Sequence, residues 1–226
     1  MINNMIVIVP SRSRPENVRR LVDHWPSDVD LLVCLDFDDP TLVQYSGNHN
    51  TQYRVGPRLR LGPTLNAAAL EEVNRYKYIG FMGDDHLPRT EGWQHSIQDE
   101  LAKLQVGVVY GNDLLQGEKL PTAVFMTSNI IKTLGYMCPP NFVHMYLDNA
   151  WLEWGRGIDR ITYLPDVIIE HIHPAANKIN RDAGYDEADS FMNADRQMWE
   201  NYVGGGFLEE DLQKLERLKD GMASVS

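Results

Sequence analysis

Asp84, Asp85 and His86 close an apolar run in the stretch KYIGFMGDDHLPRTEGW. Two adjacent carboxylates at the end of a buried strand repel each other at neutral pH unless something positive sits with them. Paired carboxylates there make a cradle for a hard divalent cation such as Mg²⁺ or Mn²⁺. Such an ion clamps diphosphates and neutralises a departing phosphate. Gly-Asp-Asp is also good turn chemistry, so the pair alone leaves both readings open.

Other candidate groups follow apolar runs in the same way. VIIEHIHP ends in His171 and His173, which share a face if the segment is a strand, because side chains repeat every second residue. Two imidazoles there suit a metal or phosphate site, and spacing does not separate the two as ligands. A pair of hydrogen-bonded surface histidines is the alternative. CLDFDDP releases Asp36, Asp38 and Asp39, which would accept hydrogen bonds from a base N–H or ribose hydroxyls, or cap the next helix. Arg12 and Arg14 in PSRSRP, with Lys178 and Arg181 beyond the histidines, have the charge to meet phosphates; solvated surface cations are the alternative. Asp148 lies among aromatic and apolar neighbours in HMYLDNAWLEWG. Such surroundings raise a carboxyl pKa toward that of a general base, although a cap or salt bridge would also place an acid there. Trp151 and Trp154 fit a core or a stacking platform for a sugar ring.

The elements that must carry these groups alternate in the first half. Strand patterns at 5–10, 30–36 and 78–82, and a shorter one in TQYRV, are separated by helical patterns in PENVRRLVDHW and PTLNAAALEEVNRY. This order predicts an α/β fold with a mostly parallel sheet covered by helices. Ligands in such sheets collect at the carboxyl ends of the strands, so Pro10 to Arg12, Asp36 to Asp39 and Gly83 to His86 are expected on one rim. Later, 107–112 and 122–128 read as strands, 145–155 as a helix, and RITYLPDVIIEHIHP as two strands broken at Pro165. AANKINRDAGYDEAD has the composition of a loop. A helix through SFMNADRQMWENY follows, then three glycines and a last helix with a stripe of Leu208, Leu212, Leu215 and Leu218. That stripe either packs on the core or pairs with a second subunit.

Composition narrows the function classes. The chain has 226 residues, 21 basic against 32 acidic, and a formal charge of -11, which disfavours sequence-blind binding to nucleic acid. Cys34 and Cys138 are too few for a disulfide framework or metal knuckle, and a reducing, cytoplasmic setting is the simpler expectation. No apolar run reaches the length of a signal peptide or membrane helix, so no membrane partner is expected. The chain carries no Walker pattern and no G-x-G-x-x-G.

Taken in order, VIVPSRSRPENVRRLV, the Asp-rich end of the second strand, LGPTLNAAA, FMGDDH, YLDNAWLEWG and IIEHIHP resemble the GT-A-fold, nucleotide-sugar-dependent glycosyltransferases of the family-two type, over roughly residues 5 to 180. Short bacterial and bacteriophage members are the most similar in size. The resemblance implies a Rossmann-like GT-A domain over 1–185, with a nucleotide-binding half at 1–110 and an acceptor and metal half at 111–185, and a helical extension at 186–226. It implies that Pro10, Ser11, Arg14, Asp36, Asp38 and Asp39 surround the nucleoside, with Asn66 near the nucleotide. Asp84 would face the ribose, and Asp85 would hold Mn²⁺ or Mg²⁺ on the diphosphate, joined by His171 or His173. Asp148 would be base for the acceptor hydroxyl. The implied reaction moves a hexosyl group from a nucleotide-diphosphate sugar, a UDP-sugar first, with inversion, to a protein, glycan or modified nucleic acid. The motif here is Gly-Asp-Asp-His rather than Asp-x-Asp, which adds His86 to the candidate ligands, and Leu147-Asp148 stands where the family usually has Glu-Asp. A sugar nucleotidyltransferase would need a glycine-rich basic loop that PSRSRP lacks; a non-catalytic nucleotide-sugar or glycan binding module is the other alternative.

Overall fold

The computed structural model describes residues 3–176 and 180–223. Lys178 lies outside them. The strands are β1 (Met5–Ser11), β2 (Asp30–Asp36), β3 (Thr51–Gly56), β4 (Tyr78–Phe81), β5 (His86–Pro88), β6 (Val108–Asn112), β7 (Val124–Thr127) and β8 (Ile161–His171). The helices are α1 (Pro15–Asp23), α2 (Leu61–Glu72), α3 (Trp93–Leu104), α4 (Ser128–Leu134), α5 (Leu147–Gly157), α6 (Ala183–Ser190), α7 (Met192–Gly204) and α8 (Phe207–Ala223).

One sheet runs β3-β2-β1-β4-β7-β6-β8-β5. Pairing is parallel from β3 through β4 and between β6 and β8; β7 and β5 enter antiparallel. The first strands are continuous apolar runs because both faces are covered. In β1, Ile6 and Ile8 enter the core beneath α2, α4 and α5, while Met5, Val7 and Val9 enter the core beneath α1 and α3. Since β1, β2 and β4 run parallel, their polar carboxyl ends emerge on one rim. No helix among the described residues is long and apolar enough to cross a membrane.

Two segments differ from the sequence reading. Residues 161–171 form one strand instead of two. The register beside β6 jumps from Leu164 opposite Gly111 to Ile168 opposite Asn112, so Pro165 sits in a bulge where its missing N–H breaks no ladder bond. Residues 183–189, read as loop from their polar composition, belong with Ser190 to the helix α6. Asp182 caps it, its carboxylate accepting the N–H groups of Gly184 and Tyr185. The expected boundary between residues 185 and 186 therefore falls inside this helix.

The C-terminal leucine stripe is spent within the chain. Leu215 is fully buried in the α2–α4–α5 core, and Leu208, Leu212 and Leu218 pack against it. A Cβ on Gly157 would lie 2.4 Å from Leu212 Cδ2, so α5 and α8 touch closely at a glycine. Replacing Leu215 by Ala is expected to lower stability by about 2–5 kcal/mol in urea unfolding, as for other fully buried leucines. A loss under ~1 kcal/mol would mean that α8 is not docked as described.

Candidate active site

The rim of β1, β2 and β4 opens into a cavity of about 680 Å³. Pro10, Ser11, Arg12, Arg14, Asp36, Asp84, Asp85, His86, Asp148, His171, His173 and Arg181 all line it. Three of the sequence candidates do structural work beside it. Asp38 pairs with Arg12 at 2.6 Å, and Asp39 staples its own loop by accepting from Ser13 N at 2.8 Å and Thr41 N at 2.7 Å. Asn66 clamps a distant loop: its Oδ1 accepts from Met137 N and Cys138 N, each at 2.8 Å, and its Nδ2 donates to Cys138 O.

The adjacent carboxylates are stabilised by different partners. Asp84 Oδ2 accepts from Ser11 Oγ at 2.6 Å, and its Oδ1 accepts from Arg14 Nη1 at 3.0 Å. Burial nonetheless pushes its pKa up to about 6; Arg14 opposes that rise and the Asp85 charge adds to it. For Asp85, burial acts upward too, but the imidazoles of His171 and His86, each 3.4 Å from one of its oxygens, outweigh it and hold the carboxyl well below its usual range. Tyr185 of α6 also donates its hydroxyl to Asp85 Oδ2 at 2.7 Å.

The histidines meet because of strand pairing. β5 lies antiparallel to β8 with His86 directly opposite His171, and the two rings stack at 4.1 Å between centroids. Cross-strand partners in register are the nearest side chains a sheet offers. Ligating atoms of Asp85, His86 and His171 lie within 4.8 Å of one another. His173 stands next to this trio, its ring 4.8 Å from His171 and edge-on to Tyr185. Burial, with His86 alongside, lowers the pKa of His171 and keeps its ring neutral. An ionised carboxylate beside a neutral imidazole is the protonation pattern that metal ligation needs, so the residues present fit a divalent cation. The His86 ring nitrogens have Gly83 N and Thr122 Oγ1 as further neighbours, at 3.1 Å from Nδ1 and 3.3 Å from Nε2.

Asp148 sits in the first turn of α5, where its Oδ1 accepts from Asn149 N at 3.0 Å. Burial raises its pKa to about 6 in spite of that bond, and the field of His171 reaches it. The wall holding it is braced from far along the chain. Asp195 of α7, fully buried, accepts the N–H groups of Val143, His144 and Met145 at 3.0, 2.8 and 2.7 Å.

Several functional side chains escaped the sequence reading. Asp182, Tyr185 and Glu187 belong to the segment taken for loop. The signal was present: Asp182 two residues before Gly184 and three before Tyr185 is an N-cap spacing. Asp113 gave no motif, yet it is almost fully buried and accepts from Leu115, Gln116 and Gly117 N–H and from Thr122 Oγ1, fixing the loop behind His86. Arg14 ties the set together. Its Nε and Nη2 donate to the two Asp182 oxygens at 2.8 and 2.6 Å, and its guanidinium lies 4.3 Å over the Tyr185 ring.

A carboxyl whose folded pKa is raised above its unfolded value near 3.9 is protonated in the folded chain and ionised in the unfolded one between those values, so stability falls as pH climbs from about 4 to 6. Asp148→Asn removes that cost. The variant is expected to be more stable than wild type at pH 7.5 by on the order of 2 kcal/mol, with the gain vanishing near pH 4. Thermal unfolding across pH 4–8 checks this, and a constant offset between the proteins would overturn it.

No protein-family model matches the sequence, and no curated protein matches it. Among solved structures, the mannosyltransferase PcManGT from Pyrobaculum calidifontis, solved with GDP-Man and Mn²⁺, superposes with a TM-score of 0.60 at 12% identity over 94% of this chain and 73% of its own. TarS from S. aureus, residues 1–349, gives a TM-score of 0.53 at 14% identity over 73% of this chain; the match spans 59% of TarS. With its parallel nucleotide-side strands, antiparallel insertions and carboxylates at the end of β4, the chain has the GT-A-type fold of nucleotide-diphospho-sugar transferases.

Proposed function

We propose that the protein transfers a glycosyl group from a nucleotide-diphosphate sugar to an acceptor hydroxyl, with a divalent cation as cofactor. The observation that carries this reading is the sharing of one cavity by the Asp85–His86–His171 cluster and by Asp148 with its raised pKa. The fold shared with PcManGT supports a sugar-nucleotide donor.

The residues divide the work by position. Asp36, held by Arg12 at 3.0 Å, is placed at the end of β2 to accept a base N–H, for which we infer uracil. Ser11 and Asp84 lie between it and the cation cluster and are assigned to the ribose. A divalent cation held by Asp85 with His171 and His86 or His173 supplies charge neutralisation for the departing diphosphate. Imidazole in the donor set favours Mn²⁺ over Mg²⁺, which prefers all-oxygen shells. Asp148 takes the acceptor proton as the acceptor oxygen bonds to the anomeric carbon, while the electron pair of the breaking bond leaves with the diphosphate. A single carboxylate acting as base on the acceptor fits one displacement, with inversion. Trp151, which lines the cavity and is buried in the core, gives the sugar a rigid aromatic wall.

Purified protein given a panel of UDP- and GDP-sugars with Mn²⁺ is expected to release nucleoside diphosphate from one donor. Asp148→Asn should lower kcat about 10²–10⁴-fold with nucleotide affinity retained. Asp85→Ala should abolish the response to Mn²⁺. Wild-type turnover by Asp148→Asn would remove the base assignment. Calorimetric binding of a sugar nucleotide with no turnover in any acceptor mixture would favour a binding module.

Activity in that assay should also rise with pH through about 6, as Asp148 loses its proton. A profile flat from pH 5 to 8 would argue against a base of raised pKa.

A further inference from the structure

Arg58 and Arg60 enter the cavity from the turn between β3 and α2 and belong to neither the carboxylate pair nor the histidines. Both guanidiniums converge on one carboxylate, Glu187 of α6: Arg58 Nη2 on its Oε2, and Arg60 Nη2 on its Oε1 at 2.9 Å. Arg58 Nε also lies 3.6 Å from Asp36 Oδ2. Arg60 holds a backbone conformation, φ 72° and ψ -179°, that is open to glycine and strained for any side chain. Its Nε is buried and makes no hydrogen bond among the described residues. The strain keeps a guanidinium at the mouth of the cavity where glycine would fit the chain better. Arg58 shares Glu187 and Asp36, while Arg60 has only the Glu187 charge among the described ion pairs and leaves its Nε donor unused.

We propose that Arg58 and Arg60 form an anion-binding subsite on the cavity rim, made for a phosphoryl or carboxylate group of the ligand, which Glu187 fills until that ligand arrives. A diphosphate offers more charge and more acceptor oxygens than Glu187, and two guanidinium forks match it bidentately. The neighbouring contacts of α6 follow the same plan. Asp182 on Arg14 and the Tyr185 hydroxyl on Asp85 each occupy a group facing the cavity, so one short helix covers cations contributed by β1 and by the β3–α2 turn. The subsite rests on the transferase reading only for the name of its ligand.

Calorimetry with inorganic pyrophosphate and EDTA isolates the arginines from any metal. Glu187→Gln, which keeps the shape of the residue, is expected to tighten pyrophosphate roughly five- to tenfold by removing the resident competitor. Arg60→Gly should lose that binding and yet unfold at the same temperature as wild type, or roughly 2–4 °C higher as the backbone strain goes. A purely structural ion pair predicts the reverse for both variants: lower stability and unchanged pyrophosphate affinity. Equal affinity in wild type, Glu187→Gln and Arg60→Gly overturns the subsite.

UDP and uridine then locate the anion. Weaker UDP binding by Arg60→Gly with uridine unaffected assigns the subsite to the donor diphosphate; UDP unchanged while pyrophosphate is lost assigns it to an anionic group of the acceptor. Donor turnover with identical pyrophosphate binding in all variants would sink the subsite and leave the transferase reading standing. Tighter binding by Glu187→Gln with no sugar nucleotide turned over would do the opposite.

Discussion

Two carboxylates side by side in a place that water scarcely reaches are the constraint around which this molecule is arranged. Bringing both ions out of water costs several kcal/mol each unless hydrogen bonds and opposite charge replace the hydration. The chain solves the problem differently for each. Asp84 receives a serine and an arginine from the loop after β1; Asp85 receives imidazoles brought by β5 and β8 and a phenol brought by α6. Because these partners come from the first strand, the last strand and the C-terminal helices, the pair draws distant parts of the sequence onto one rim.

Much of this was legible in the residue order. The buried strands of the first half announce themselves as β-branched runs, and each ends in polar residues, so their convergence follows from parallel pairing alone. The histidines were recognised, but spacing within one strand offered only His171 and His173 as a pair. The strand partner of His171 is instead His86, 85 residues earlier, because a three-residue antiparallel strand carries no periodicity to read. Asn66, read as a nucleotide contact, and Asp39, read as a nucleoside contact or a cap, both hold backbone N–H groups. Short polar side chains serve both purposes equally well, and sequence does not show which backbone donors are left over nearby.

The α6 segment is the instructive miss. Its residues are charged and polar because it is a short helix lying across a cavity lined by arginines, and composition counts that as loop. Two of its acids nonetheless meet the arginines beneath, Asp182 on Arg14 and Glu187 on Arg58 and Arg60, while Asp186 and Asp189 pair with Arg181 of the same segment. The overall charge of -11 hides this local cationic mouth, whose positive groups are visible only when the acids paired with them are assigned to α6.

The buried Asp195 bears on the order in which the molecule takes shape. Val143, His144 and Met145 have their N–H groups satisfied by a side chain 50 to 52 residues later. The β1–β2 and β2–β3 pairings close over 24 and 20 residues, whereas β1–β4 spans 73. The wall that carries Asp148 depends on α7 for these three contacts, so its order is tied to the docking of α7. Amide exchange at these three positions would report α7 docking directly.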